Sequence, residues 1–236
     1  MRKYTAEFIG TFFLVFTIVT TVRGGAPLAP LAIGLVLAAM VFAGGHVSGA
    51  HFNPAVTLAV WIRGKVDTRD VPGYVVAQLL GASAAAGVAL AVIDAPAGTP
   101  LELTGSKLLA ALLAEAVVTF ALAYVVLNVA TSADTADNSF YGLAIGATVL
   151  AGAIAVGGVS GGVFNPAVAV GASFGGLLSW STIWVYLVAN LAGAAGAAIV
   201  FGVLNPADWS DRSEPREADS TDEPARVVAL EVRKSG

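Results

Sequence analysis

Two asparagines set the chemistry open to this chain. Asn53 and Asn165 each begin an Asn-Pro-Ala triplet, Asn53-Pro54-Ala55 and Asn165-Pro166-Ala167, with a Val-Ser-Gly run before it and an apolar segment after it. Asn at an N-cap with Pro at the first helical position is a helix start, so each triplet reads as an irregular loop entering a short helix. A side-chain amide offers two N–H donors and one acceptor oxygen. The loops add backbone carbonyls, from Gly49, Ala50 and His51 before the first triplet and from Gly161, Gly162 and Val163 before the second. Donors and acceptors of this kind suit an uncharged hydrogen-bonding solute.

The elements that must hold these loops lie in a chain that is too apolar for water. Of 236 residues, 57% are hydrophobic and 12% charged, with a mean hydropathy of +0.81, which marks an integral membrane protein. A spanning helix takes about 20 apolar residues, and runs of that size centre on residues 4–22, 27–45, 71–93, 107–130, 140–157 and 181–204. No Asp, Glu, Lys or Arg occurs at positions 24–62 or 138–207. The first of these stretches is too long for one helix and too short for two with a turn, so it holds a span and a half-span. The second holds two spans and a half. The expected fold is therefore all-α, with six transmembrane helices and two re-entrant half-helices. The first span is too long for a secretory h-region and carries Glu7 within it, so it is expected to be retained. With Cys 0 there is no disulfide framework, thiol nucleophile or Cys metal site.

An internal repeat ties the two loops together. Residues 31–56 align without a gap on residues 143–168, with 15 identities in 26 positions, and the same offset sets Tyr74 on Tyr186. The first spans of the two halves match at a slightly shorter offset that sets Glu7 on Glu115. The unit is three spans, repeat one over 1–94 and repeat two over 106–206. Because three is odd, the second copy enters from the opposite side and the repeats are inverted. Half-helices dipping inward from opposite faces would then bring Asn53 and Asn165 together near mid-membrane. Irregular backbone at that depth is tolerated only inside protein or beside water, which argues for a wet path. Two helix N-termini facing each other would carry roughly half an elementary positive charge apiece, which repels cations and protons.

On these residues the chain resembles the aquaporin family, also called major intrinsic proteins, over about residues 1–204. The resemblance rests on both Asn-Pro-Ala loops, the Ala6-Glu7-Phe8-Ile9-Gly10-Thr11 opening, Glu115 in the fourth span and Trp184-Val185-Tyr186 in the sixth. It implies passive conduction of water, one pore per subunit and a homotetramer in membrane lipid. Glycerol, ammonia and urea are further candidate solutes, as in a glycerol facilitator. By offset from the asparagines, the selectivity filter falls on Ile33, Ala153, Gly162 and Val168. Water-selective members carry Arg where this chain has Val168, and glycerol channels keep that Arg and follow it with Asp where this chain has Ala169. An apolar, wider outer constriction is the expectation.

Other residues have plainer readings. Glu7 and Glu115 lie in spans, where a carboxylate is a functional candidate by default; matched places in the repeats favour structural support of the re-entrant loops over proton relay. His46 and His51 are read as loop hydrogen-bond partners rather than pH sensors. A third triplet, Asn205-Pro206-Ala207, follows the last span and reads as a helix stop. Residues 207–236 form an acidic tail, expected to be solvated and disordered. Arg2, Lys3, Arg63, Lys65 and Arg69 outnumber Arg23 and Lys107 across the spans, which puts both termini in the cytoplasm of a multi-pass cell-membrane protein. Nothing suggests a catalytic set, a metal, a cofactor or nucleic-acid binding, so an enzyme is not expected. A secondary transporter with inverted repeats and a non-conducting structural membrane protein are the alternative readings.

Overall fold

The computed structural model describes residues 1–95 and 98–210. Among these residues six helices are long and apolar enough to cross a membrane: α1 (Arg2–Arg23), α2 (Ala29–Ser48), α4 (Val71–Val92), α5 (Ser106–Thr131), α6 (Tyr141–Ser160) and α8 (Ile183–Leu204). Between them stand two nine-residue half-helices, α3 (Pro54–Ile62) and α7 (Pro166–Phe174), and a five-residue α9 (Pro206–Ser210) follows α8. The all-α, six-plus-two architecture expected from hydropathy is the one observed.

The duplication is visible in the packing. Helix α1 packs on α4 and α5 on α8, while α2 packs on α6, its own counterpart. Small residues make these crossings close: a Cβ added to Gly146 would lie 2.3 Å from the Gly34 carbonyl oxygen, and one on Gly193 would lie 2.3 Å from that of Ala116. Membrane helices lack a hydrophobic drive toward one another and associate through such tight van der Waals contact. Each half-helix sits against the opposite repeat as well as its own, α3 against α8 and α5, and α7 against α4 and α1. Neither repeat can therefore bury its half-helix alone. The link from α5 to α6 is four residues longer than that from α1 to α2, which accounts for the two alignment offsets. A 3₁₀ turn at Ala133–Thr135 takes up the extra length.

The chain end departs from the expectation in one respect. Asn205 does end α8, but Pro206 opens α9, whose Asp208 carboxylate accepts from the Ala133 N–H at 3.1 Å and lies 3.6 Å from Arg63 Nη2. Arg63 is fully buried over the Phe201 ring, and a buried cation needs a counter-charge. Residues 207–210 are thus docked. The rest of the expected tail, 211–236, lies outside the described residues.

Candidate functional site

Each loop is shaped by one buried carboxylate. Glu7 Oε1 accepts from Ser48 Oγ at 2.7 Å and the His51 N–H at 2.9 Å, and Oε2 accepts from the Phe52 N–H at 2.6 Å and Gln78 Nε2 at 2.8 Å. Glu115 repeats the pattern: Oε1 accepts from Ser160 Oγ at 2.7 Å and the Val163 N–H at 2.9 Å, and Oε2 from the Phe164 N–H at 2.7 Å. Both carboxylates are fully buried. The serines also accept, Ser48 Oγ from the Ala50 N–H and Ser160 Oγ from the Gly162 N–H. These bonds draw three successive amides in each loop to one side.

In a trans peptide the N–H and C=O point in opposite directions, and no peptide here is cis. Holding the amides of residues 50, 51 and 52 toward Ser48 and Glu7 therefore turns the carbonyls of Gly49, Ala50 and His51 the other way. The same bonds in the second loop turn out the carbonyls of Gly161, Gly162 and Val163. The loops reach this shape through left-handed backbone at Gly49, Ala50 and Phe52 and at Gly161, Gly162 and Phe164. For phenylalanine that conformation is uncommon and costs on the order of 1–3 kcal/mol. Both rings are 1% exposed, and the Phe52 ring fills the space beside Gly10 and Gly44 that a side chain there would need.

The two loops close on one another at the asparagines. Asn53 is the N-cap of α3 and accepts from the Ala55 N–H, and Asn165 is the N-cap of α7 and accepts from the Ala167 and Val168 N–H groups. Each amide then donates across the repeat boundary. Asn53 Nδ2 donates to the Phe164 carbonyl at 2.9 Å, and Asn165 Nδ2 to the Phe52 carbonyl at 2.9 Å. One N–H of each amide is thereby committed, which leaves one on each side for a solute.

A cavity of about 420 Å³ adjoins this junction. It is bordered by Asn53 and Asn165, by Ala50, His51, Gly161, Gly162 and Val163, and by Ile33, Ala153 and Val168. All four residues assigned to the filter by offset line this one space. Gly49, at the C-cap of α2, is not among its lining residues. Among the described lining residues none is Asp, Glu, Lys or Arg, so the fixed field comes from the ends of α3 and α7.

Several residues that shape the site were not singled out from sequence. The Tyr74 hydroxyl donates to the Ser48 carbonyl and the Tyr186 hydroxyl to the Ser160 carbonyl, both at 2.7 Å. Their alignment in the repeat was the available signal. The first loop has a polar girdle that the second lacks: Thr57 Oγ1 donates to the Asn53 carbonyl, takes a bond from Gln78 Nε2, and meets His51 Nδ1 at 3.1 Å. Because the hydroxyl proton is already given to Asn53, His51 must be the donor at Nδ1. The corresponding residues in repeat two are Ala169, Asn190 and Val163. Asn190 is one methylene short of Gln78, and it bonds Thr119 instead of Glu115. His46 is exposed at the end of α2, outside the cavity lining.

Comparison with known proteins places this geometry. The family model described as "Major intrinsic protein" matches residues 1–201. A glycerol uptake facilitator protein-like 6 of Lactiplantibacillus plantarum is 39% identical over 219 residues, covering 88% of this chain and 100% of that protein. Aquaporin NIP1-1 of Zea mays is 39% identical over 86% of this chain and 75% of its own length, and nodulin-26 of Glycine max 36% identical over 88% and 79%. The X-ray structure of the aquaglyceroporin from Plasmodium falciparum superposes with a TM-score of 0.75 at 25% identity, covering 88% of this chain and 98% of that one.

Proposed function

The chain belongs to the major intrinsic protein family and is a passive membrane channel for water and small solutes; on that footing we propose that its solutes cross between Asn53 and Asn165. The observation that carries this reading is the reciprocal pair of bonds from each asparagine to the opposite loop's phenylalanine carbonyl. That pairing fixes both amides at one narrow point and leaves each a single N–H for an oxygen passing through. The carbonyls of Gly49, Ala50, His51, Gly161, Gly162 and Val163 accept from the same solute on either side. Ions lose their hydration without a charged partner among the described lining residues, at a cost far above that for a neutral solute. The facing N-termini of α3 and α7 add a barrier to cations and protons.

Ile33, Ala153, Gly162 and Val168 form the filter in this reading, and with no arginine among them glycerol, urea and ammonia pass along with water. Glu7 and Glu115 act as loop supports, because the donors they accept from hold a re-entrant loop or its girdle. The lysine and arginine distribution supports an orientation with both termini in the cytoplasm of a cell-membrane protein. A homotetramer is typical of the fold and is the assembly proposed here. The test is stopped-flow light scattering on vesicles containing the purified protein. Protein-dependent water and glycerol flux is expected, with no protein-dependent dissipation of a pH or potassium gradient. Saturable, proton-coupled uptake would instead indicate a secondary transporter.

A further inference from the structure

The two half-helices are held at their far ends by arginines that reach them differently. Helix α7 ends at Gly175, whose carbonyl accepts from Arg23 Nη1 at 2.9 Å, while Arg23 Nη2 donates to the Ala95 carbonyl at 3.2 Å. At the matching place in repeat one stands Arg63, the C-cap of α3 itself. Its guanidinium is fully buried over the Phe201 ring, donates from Nη2 to the Thr131 carbonyl at the end of α5 at 3.4 Å, and lies 3.6 Å from Asp208. The Asp208 carboxylate is itself seated by the Ala133 N–H and the Ser132 side chain. Beside it the Trp209 ring covers Gly202 of α8 so closely that an added Cβ would lie 2.7 Å from it. The inner end of α3 thus depends on a carboxylate that follows the last span, whereas the end of α7 depends on a residue within the first.

We propose that Asp208 is a positioning residue for the pore: through Arg63 it fixes the seat of α3, and so the place where Asn53 meets the Phe164 carbonyl, which makes the docked α9 a control point for conduction. The inference rests on the reading that solutes cross between the asparagines. A helix of nine residues has little stability of its own, so its position is set by what holds its two ends. One end is Asn53, bonded to Phe164 across the repeat boundary. The other is Arg63, about 14 Å away at 1.5 Å per residue. Neutralising Asp208 leaves a buried guanidinium without its counter-charge, which is strongly unfavourable, whereas replacing both charged partners by uncharged ones is far better tolerated. The guanidinium would then move toward water and draw the last turn of α3 with it. Because a single short helix moves as a unit, the displacement reaches Asn53 and alters the gap that it shares with Asn165.

The experiment is stopped-flow water and glycerol flux in vesicles containing the full-length protein, with the rate of protein-free vesicles of the same lipid subtracted. Asp208→Asn keeps the shape and an acceptor oxygen for Ala133 and removes only the charge. The ratio of glycerol to water permeability is read within each preparation: loss of folded channels lowers both fluxes in proportion, whereas a displaced α3 changes the ratio. A change of at least about twofold is expected in Asp208→Asn, the size of a modest coupling between distant sites. The double variant Arg63→Met, Asp208→Asn removes the buried cation as well, with an unbranched apolar chain in its place, and should return the ratio to that of the parent. If Asp208→Asn does not fold, Asp208→Glu keeps the charge and displaces it by one methylene, and should still move the ratio. A ratio that stays at the parent value in the folded Asp208 variant, or one that the double variant fails to restore, overturns the positioning role while the parent's flux leaves the pathway standing. Absence of any protein-dependent flux in the parent, water included, overturns the pathway and the positioning role with it.

Discussion

Replacing Glu115 by Gln should loosen the second loop by an amount that its hydrogen bonds set. Glu115 accepts three bonds, from Ser160 and Val163 at Oε1 and from Phe164 at Oε2. A glutamine has one oxygen. If that oxygen keeps the Oε1 place, its amide nitrogen faces the Phe164 N–H donor to donor, and the backbone group is left unpartnered at a cost of about 1–3 kcal/mol. The two surviving bonds become neutral, which removes about 0.5–1.5 kcal/mol from each. The opposite rotamer orphans two donors and is worse. The loss is therefore about 2–6 kcal/mol, equivalent to an apparent Tm lower by about 4–24 °C in a chain of this size. Glu7→Gln should cost at least as much, because the Phe52 N–H is orphaned in the same way and Gln78, if it turns its amide so that its Oε1 accepts from the new side chain, gives up its bond to Thr57 Oγ1. Thermal unfolding of both variants in one detergent, followed by tryptophan fluorescence, makes the comparison. Either variant melting within about 2 °C of the parent would refute the claim that these carboxylates shape the loops as acceptors.

Two further outcomes follow from the packing and the surface charges. Gly146→Val should sharply reduce the folded yield, because its Cβ would meet the Gly34 carbonyl oxygen at 2.3 Å and force α2 from α6. Gly157→Ala on the same helix meets nothing within 4 Å and should be tolerated or slightly stabilising, by up to about 1 kcal/mol from helix propensity; size-exclusion yield and melting of the pair check this. At the start of α4, hydrogen bonds from Lys3 and then from Tyr4 hold the Asp70 carboxyl below its ordinary range. A carboxyl depressed in the folded state makes the native protein bind fewer protons than the unfolded chain. Its stabilisation is thus present above about pH 3.9 and lost as pH falls through the lower folded value. The effect is small because the pair is substantially exposed. The gap in Tm between parent and Asp70→Asn should shrink as pH is lowered from 6 to 3, and a gap that widened would contradict the assignment.

Much of this architecture is written in the chain because two signals with different physics agree. Hydropathy places six spans, and the uncharged stretches at 24–62 and 138–207 are too long to hold whole helices alone, which exposes α3 and α7. The repeat then fixes their relation, since an odd number of spans per copy inverts the second. Asn53 and Asn165 are legible because N-capping and proline at the first helical turn are local rules. Phe52 and Phe164 are not, because their contribution is a carbonyl and a left-handed backbone, which side-chain identity does not announce. The girdle of Thr57, Gln78 and His51 escaped for a related reason: its members come from separate segments and the repeat-two positions hold Ala169, Asn190 and Val163, so alignment carries no shared pattern. The docking of Asp208 on Arg63 and Ala133 joins segments that no periodicity relates. Composition there says only that the chain has left the bilayer.

If a single wet passage runs through the junction of α3 and α7, Val168 stands on its wall. The chain contains no cysteine, so Val168→Cys introduces one thiol at a known place. Stopped-flow water flux should be measured in vesicles before and after a cationic methanethiosulfonate reagent, with modification followed by mass spectrometry and the parent protein treated in parallel. Flux through the variant should fall by at least about half on modification while the parent is unaffected. Water flux unchanged at full modification of the introduced thiol would place the path elsewhere.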